Sequence, residues 1–168
     1  MTEEVILVEA AKKGDKNAFT QLYGRVYKDL YRFAYYTLNN SHEAEDAVSE
    51  AVLAAYEGIG RLKDADAFHR WIFKILVNKC RQRFRSRRKD MLPLNEEIPD
   101  TEIDYAQNED VKAAFFTLSD QERLIVSMFL FGGYKGEEIG HILHINHSTV
   151  RSKYRRSLKK LEQLLSRE

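Results

Sequence analysis

The spacing of the apolar residues between positions 19 and 38 limits the possible folds of this chain more than any other feature. These residues recur at steps of three and four: Phe19, Leu22, Tyr23, Val26, Leu30, Phe33, Ala34 and Leu38. This spacing places them on one face of a long helix, and that face must be buried against other elements. The whole sequence has only two prolines and eight glycines, which disfavours an all-β fold rich in turns. The sequence therefore predicts an all-α protein.

Four helices are predicted in residues 1–88, which we interpret as the first of two small domains. The third helix follows a break at Asn39-Asn40, and Ser41 is its candidate cap. Its predicted buried stripe is Ala44, Ala47, Val48, Ala51, Val52 and Ala55. A polar loop then leads to Asp66, the candidate cap of the fourth helix. The apolar positions of that helix are Phe68, Trp71, Ile72, Ile75 and Leu76.

Charged residues are segregated along the chain, although the formal net charge is only +1. Residues 79–89 hold seven Lys/Arg and no acid, and residues 90–110 hold eight Asp/Glu and no Lys/Arg. Residues 151–160 hold six Lys/Arg and no acid. Such blocks are more typical of functional surfaces than an even mixture is. Because the acidic block contains both prolines and no strong period, we interpret residues 89–109 as an acidic linker and 110–168 as a second helical domain.

The second domain contains a helix-turn-helix pattern. After a capping box at Ser119 and Glu122, a short helix is predicted over 136–143, a turn over 144–146 and a long basic helix from 147 to 166. The N-terminal turns of the second helix of such a motif enter the major groove of DNA, where hydroxyls and Arg bond phosphates and base edges. The candidate DNA-binding residues are Ser148, Thr149, Arg151, Ser152, Lys153 and Arg155. A merely solvated basic face is the alternative.

A second candidate nucleic-acid surface lies on the basic end of the fourth helix. Aromatic residues beside basic ones suit unstacked bases and phosphates. Phe68, Trp71 and Ile72 are better explained as core residues. The candidates for DNA contact, near helical spacing, are Asn78, Arg81, Arg85 and Arg88.

Other classes of function are disfavoured by the sequence. The single cysteine, Cys80, excludes a disulfide framework within the chain and lacks the partner pattern of a nucleophile. His141, His144 and His147 recur at three-residue intervals, but they straddle the predicted turn and no thiolate lies close by in the sequence. No apolar run approaches a membrane span, and residues 1–4 are not a signal-peptide pattern. We therefore expect a soluble, cytoplasmic protein with no metal, no cofactor, no catalysis and no membrane insertion.

Three groups of residues stand in a fixed order along the chain. The first is His42-Glu43-Ala44-Glu45-Asp46-Ala47-Val48-Ser49-Glu50, and the second is Phe68 with Trp71-Ile72 and residues 75–78. The third is Leu118-Ser119-Asp120-Gln121-Glu122-Arg123, with Glu137-Glu138-Ile139 and residues 148–152. Over nearly its full length the chain resembles the extracytoplasmic-function (ECF) sigma factors of bacterial RNA polymerase. The three groups resemble region 2.2, regions 2.3 and 2.4, and region 4 of that family.

The resemblance implies a protein that binds RNA polymerase core and directs promoter-specific transcription initiation. Region 2.2 would dock on the coiled coil of the β′ subunit, and region 4 would contact the β flap. The residues implied at the core contact are Asp46, Ala47, Glu50 and Leu53. The loop over 60–67, which includes Lys63, would capture the −10 element together with the basic fourth helix. The helix-turn-helix would read the −35 element of promoter DNA, and an anti-sigma factor is an expected partner.

The chain departs from the family pattern at a few positions. His144 replaces the usual glycine of the turn, and Gly140 replaces a usual alanine; Ala47 and Ser49 replace a usual leucine and glutamine. Histidine tolerates a left-handed backbone better than most residues. Glycine in a helix costs up to about 1 kcal/mol. A stand-alone helix-turn-helix transcriptional regulator is the alternative function, but it leaves the motif at residues 42–50 and the basic fourth helix unexplained.

Overall fold

Eight α-helices and two 3₁₀ turns form the regular structure of the part of the chain that the computed structural model describes, residues 1–90 and 109–166. Side chains are described for residues 1–87 and 110–166. The helices are α1 (Glu3–Lys12), α2 (Lys16–Leu38), α3 (Ser41–Gly58), α4 (Phe68–Asp90), α5 (Glu109–Phe115), α6 (Asp120–Leu130), α7 (Gly136–Leu143) and α8 (His147–Leu165). The 3₁₀ turns are Ile59–Arg61 and Ala65–Ala67. The all-α prediction is confirmed.

Helix α3 lies between α2 and α4 and forms the centre of the N-terminal unit. Ala44, Ala47, Ala51 and Ala55 are all fully buried, which lets the three helices approach closely. The predicted stripe is correct except that Val52 is only half-buried. From α2, Phe33 contacts Phe73 of α4 edge-on, with ring centroids 5.8 Å apart.

Two helix caps differ from those predicted. Asn40, and not Ser41, caps α3, because the Asn40 side chain accepts a hydrogen bond from the Glu43 backbone N–H at 2.9 Å. The predicted cap at Asp66 is also wrong, since Asp64 accepts from the Asp66 N–H at 3.0 Å and caps a 3₁₀ turn that leads into α4. Asn40 and Asp64 both have the extended backbone that a cap requires, and their side chains therefore reach the free N–H groups.

The C-terminal unit comprises α5 to α8, and its helix-turn-helix follows the predicted boundaries closely. The capping box is confirmed: Glu122 accepts from the Ser119 backbone N–H at 2.8 Å, and Ser119 Oγ accepts from the Glu122 N–H at 3.2 Å. His144 ends α7 in the left-handed conformation, with φ of 60°. Buried Ile139, Leu143 and Val150 pack α7 against α8.

The two units pack directly on one another and share one apolar cluster. Helix α6 contacts α2, and Tyr36 of α2 stacks on Phe131 with ring centroids 5.7 Å apart. No local pattern in the sequence predicted this contact. The acidic linker predicted over 89–109 lies outside the described residues except at its ends, where α4 reaches Asp90 and α5 begins at Glu109.

The glycine at position 140 has a structural reason in this chain. A Cβ atom there would lie 2.7 Å from the Ile145 carbonyl oxygen and 3.3 Å from the His147 backbone. The turn at His144 thus brings the backbone of the next helix so close to α7 that only a glycine fits at position 140.

We expect Gly140→Ala to destabilise the chain by about 1–3 kcal/mol, because backbone atoms must shift to admit the methyl group. Gly24→Ala is the matched control in the middle of α2, where nothing lies within 4 Å of the added Cβ. It should stabilise the chain by about 0.5–1 kcal/mol through helix propensity. Urea unfolding of the two variants measures both changes. Equal effects of the same sign would contradict the close approach at Gly140.

Candidate nucleic-acid interface

The first turns of α8 form an exposed polar and basic face, as the helix-turn-helix pattern predicted. Ser148, Thr149, Arg151, Ser152 and Arg155 are exposed, and Lys153 is half-buried. Asn146 caps the helix: its Oδ1 accepts from the Ser148 backbone N–H at 2.9 Å and from the Ser148 hydroxyl at 2.8 Å. The helix dipole adds a partial positive charge at this end, which favours phosphate.

The opposite face of α8 is held firmly by the rest of the unit. Val150 is fully buried, and the Tyr154 ring stacks on Phe129 with centroids 4.0 Å apart. Farther along, Lys160 donates to Glu122 at 2.9 Å. Burial acts to raise the pKa of Glu122, but the hydrogen bonds from the Ser119 backbone N–H and from Lys160 outweigh it, and the pKa is lowered. The exposed face is therefore presented by a fixed helix.

The second predicted surface, on α4, is only partly open. Lys63, Asn78 and Arg85 are exposed, whereas Arg81 is half-buried and its Nη1 donates to the Ile142 carbonyl of α7 at 3.3 Å. The fourth predicted basic residue on α4, Arg88, lies outside the described side chains. The structure thus brings the residues predicted on α4 to one side of the helix and places part of that side against the helix-turn-helix.

Two other arginines of the same basic block have structural partners. Arg87 donates from Nε to Glu43 at 2.9 Å and from Nη2 to the Leu38 carbonyl. Arg83 pairs with Glu50 of α3. Because these partners lie more than thirty residues earlier in the sequence, the run of basic residues alone could not separate structural arginines from available ones.

Helix α3 presents a mixed acidic and apolar face. Asp46, Glu50 and Leu53 are exposed, and Leu53 keeps 59% of its surface accessible. Ala47 corrects the sequence prediction: it is fully buried, so it supports the close packing of α3 and has no side chain available to a partner. Ala47 is buried because it lies on the stripe of α3 that packs against α2 and α4.

An apolar groove beside Leu53 was missed by the sequence analysis. Residues from α2 and α3 line it: Lys16, Phe19, Thr20, Tyr23, Ser49, Val52, Leu53 and Tyr56. Tyr56 is 41% exposed and touches Phe19 edge-on at 5.2 Å. Burial, and then the neighbouring Tyr27, raise the pKa of Tyr23 to about 12. The sequence does contain a signal for this groove: Leu53 and Tyr56 are two large apolar residues, three positions apart, on the otherwise polar side of α3.

The surroundings of Cys80 and the grouping of possible metal ligands bear on other kinds of chemistry. Cys80 is fully buried, and burial raises the pKa of its thiol. Within residues 1–90 and 109–166, no three His, Cys, Asp or Glu side chains are grouped to hold a metal ion. Across the same described ranges, no helix is both long enough and apolar enough to cross a membrane.

Comparison with known proteins identifies both units. Residues 22–90 match the Sigma-70 region 2 family model, and residues 114–163 match the Sigma-70 region 4 model. The ECF RNA polymerase sigma factor SigM of Mycobacterium tuberculosis is 30% identical, over 95% of this chain and 83% of that protein. The chain belongs to the ECF sigma factors of bacterial RNA polymerase.

Further similarities agree with this assignment. The ECF sigma factor SigW of Bacillus subtilis is 27% identical over 94% of each chain. The fold of this sigma factor matches that of RpoE from Bartonella quintana, solved with the anti-sigma factor NepR, with a TM-score of 0.74 and 22% identity over 89% of this chain and 98% of that one. The resemblance inferred from the sequence is confirmed, and a stand-alone regulator is not favoured.

Cys80 provides a direct test of the packing of α4. A buried thiol with a raised pKa is protonated and inaccessible, so we expect iodoacetamide at mildly alkaline pH to alkylate the folded chain at least roughly a hundredfold more slowly than the urea-unfolded chain. Mass spectrometry of timed samples measures the rate. Rapid alkylation of the folded chain would show that α4 does not bury this thiol.

Proposed function

We propose that this sigma factor docks on polymerase core through the outer face of α3 and reads promoter DNA through α8 and α4. The observation that carries the proposal is the exposed first part of α8, a hydroxyl- and arginine-bearing helix start held on α7, in a chain whose other unit matches region 2. A helix start exposed in this way suits contact with the major groove of DNA.

For polymerase docking, α3 offers both charge and apolar area. The exposed carboxylates of Asp46 and Glu50 lie on the same side of the helix as Leu53, at steps of four and three residues. Tyr56 and the groove below it extend the apolar part of this surface. An apolar centre with a charged rim is typical of a specific protein interface. We propose the coiled coil of the β′ subunit as its partner, and the β flap as the partner of region 4.

For promoter reading, the two basic surfaces have different tasks. Ser148, Thr149, Arg151, Ser152, Lys153 and Arg155 would contact the −35 element as duplex. Lys63, Asn78, Arg81 and Arg85 would hold the −10 element after the strands separate, with Arg88 assigned from the sequence alone. Extruding a base costs a few kcal/mol, so several contacts must share that cost.

The remaining parts of the proposal concern organisation and partners. We assign residues 1–88 to core binding and the −10 element, 89–109 to a linker, and 110–168 to the −35 element. The polymerase carries out the chemistry, and this chain catalyses no step itself. The protein acts in the cytoplasm, and an anti-sigma factor holds it inactive, as NepR accompanies RpoE in the matched structure.

Leu53→Glu tests the docking surface. We expect affinity for purified polymerase core to fall by about 2 kcal/mol or more, roughly thirtyfold, because a charge replaces an apolar anchor. Ile6→Glu on α1 is the matched control, since Ile6 is 53% exposed against 59% for Leu53. Titration of labelled chain with core measures both. Equal affinities of the two variants would rule out this face as the docking site.

Arg151→Ala tests base reading by α8. Transcripts made by reconstituted holoenzyme first map a promoter. On that template we expect Arg151→Ala to cost about 1–3 kcal/mol and to relax selectivity at one base pair of the −35 element. Lys159→Ala, an exposed residue farther along α8, should retain the base preference. Binding to templates with each −35 base changed in turn measures the effect. An unchanged base preference in Arg151→Ala contradicts this role.

A further inference from the structure

Three of the five histidines in the sequence lie together at the turn of the helix-turn-helix. His141 and His144 are exposed, and His147, the first residue of α8, is half-buried. All three line one surface hollow of about 350 Å³. In the sequence these residues only straddle a predicted turn. The structure shows that the turn brings them to the same place.

The backbone of the turn fixes this grouping. His144 ends α7 in the left-handed conformation, and its backbone N–H donates to the Gly140 carbonyl. A Cβ atom at position 140 would lie 3.3 Å from both the Cα and the backbone N of His147, so the start of α8 lies directly against α7. His141 and His144 are three residues apart on α7, and Glu137 is one turn before His141, so these side chains share one face of the helix.

The hollow lies at the end of the motif that is proposed to meet duplex DNA. In a helix-turn-helix the first helix crosses the DNA backbone, and the N-terminal residues of the second helix contact base edges. His141 belongs to the first of these helices, α7. His147 directly precedes Ser148 and Thr149 at the start of α8. The three imidazoles would therefore lie beside phosphates of a duplex bound by α8.

The sign of the charge in this hollow depends on the protonation of the histidines. Glu137 is the one acidic side chain among the residues that line it. With neutral imidazoles the hollow is negative and disfavours phosphate, whereas three protonated imidazoles make it positive. Histidine is the side chain that ordinarily changes its charge between pH 5 and 8. A change of pH within that range therefore alters the attraction of this surface for DNA.

Charged and titratable groups from the neighbouring elements also face these histidines: Arg70, Lys74, Tyr134, Glu137, Glu138 and Arg151. The Arg70 side chain pairs with Glu138, so these two charges offset each other. Burial raises the pKa of the Tyr134 hydroxyl, which stays protonated and donates to the Arg70 carbonyl. Glu137 favours the protonated imidazoles, and Lys74 opposes them. Phosphates of a bound duplex add negative charge, so the protonated forms are favoured more strongly in the complex.

We propose that His141, His144 and His147 form a pH-dependent phosphate-binding cluster, which strengthens the contact of region 4 with duplex DNA as the pH falls. The inference rests on the proposed function of α8. Because a bound phosphate stabilises the protonated imidazoles, binding of DNA takes up protons, and the affinity must rise with acidification. At alkaline pH the hollow stays negative, and α8 binds through its lysines and arginines alone.

The test removes the three titrating groups and keeps the turn. The triple variant carries His141→Gln, His144→Asn and His147→Gln, because asparagine tolerates the left-handed conformation at position 144 and glutamine suits a helix. His42→Gln is the matched control, since His42 is an exposed histidine on α3. The probe is a short fluorescein-labelled duplex of random sequence, which is enough because phosphate contacts do not depend on sequence. All buffers contain EDTA, so that metal ions play no part.

We expect the affinity of the natural chain and of His42→Gln for the duplex to rise about tenfold between about pH 8 and about pH 6, and that of the triple variant to change less than about twofold. The second readout is the salt dependence of binding. In the natural chain the slope of log K against log salt should be steeper at the lower pH by about 1–3, because each added phosphate contact contributes about 0.9. His141→Lys places a fixed positive charge on α7 and serves if the triple variant fails to fold. It should raise the affinity at the higher pH and weaken the pH dependence.

Two results would overturn the inference. An equal rise of affinity in the natural chain and in the triple variant, or an unchanged pH dependence in His141→Lys, would assign the effect to other groups. A rise without a steeper salt slope would mean that the histidines do not contact phosphate. Failure of the proposed function looks different: the natural chain then binds no duplex at either pH and does not associate with polymerase core.

Discussion

The close packing of the alanine face of α3 sets the geometry of the N-terminal unit. Four fully buried alanines let α2 and α4 both approach α3, and every other surface of the unit is placed by that approach. A large side chain on this stripe would move the helices apart. The acidic face of α3 that bears Leu53 is exposed because the opposite face is buried against α2 and α4.

Helix α4 shows how one basic segment serves two purposes. Arg83 and Arg87 turn toward α3 and pair with its carboxylates, which ties the end of α4 to α3. Asn78 and Arg85 remain exposed. Because the structural and exposed residues alternate along the same helix, the surface proposed to hold the −10 element is mechanically linked to the surface proposed to meet polymerase. Charge pairs between α3 and α4 therefore help to fix the proposed nucleic-acid surface of α4.

Local signals in the sequence were enough for most helices but not for contacts between distant residues. The periodicity over 19–38 predicted α2, and the pattern around the turn at His144 predicted α7 and the start of α8. Both patterns arise from residues within one or two helical turns of each other. The caps were placed one or two residues off, because Asn40 and Ser41, or Asp64 and Asp66, are both capable of capping. The partner of Arg81 and the burial of Ala47 could not be predicted locally, because a carbonyl 61 residues away and the exact rotation of the helix decide them. The packing of α6 on α2, which joins the two units, is not indicated by any local pattern in the sequence.

The hydrogen bond between Ser148 and Asn146 has a consequence for sequence preference. The single hydroxyl proton of Ser148 is donated to Asn146 Oδ1, so only the oxygen lone pairs face outward. In that state Ser148 can accept from the amino group of adenine or cytosine in the major groove, but it has no proton left for a phosphate, for thymine O4 or for the acceptor edge of guanine. At the proposed −35 contact, the cap that begins α8 would therefore favour adenine or cytosine opposite Ser148, because their exocyclic amines lie in the major groove.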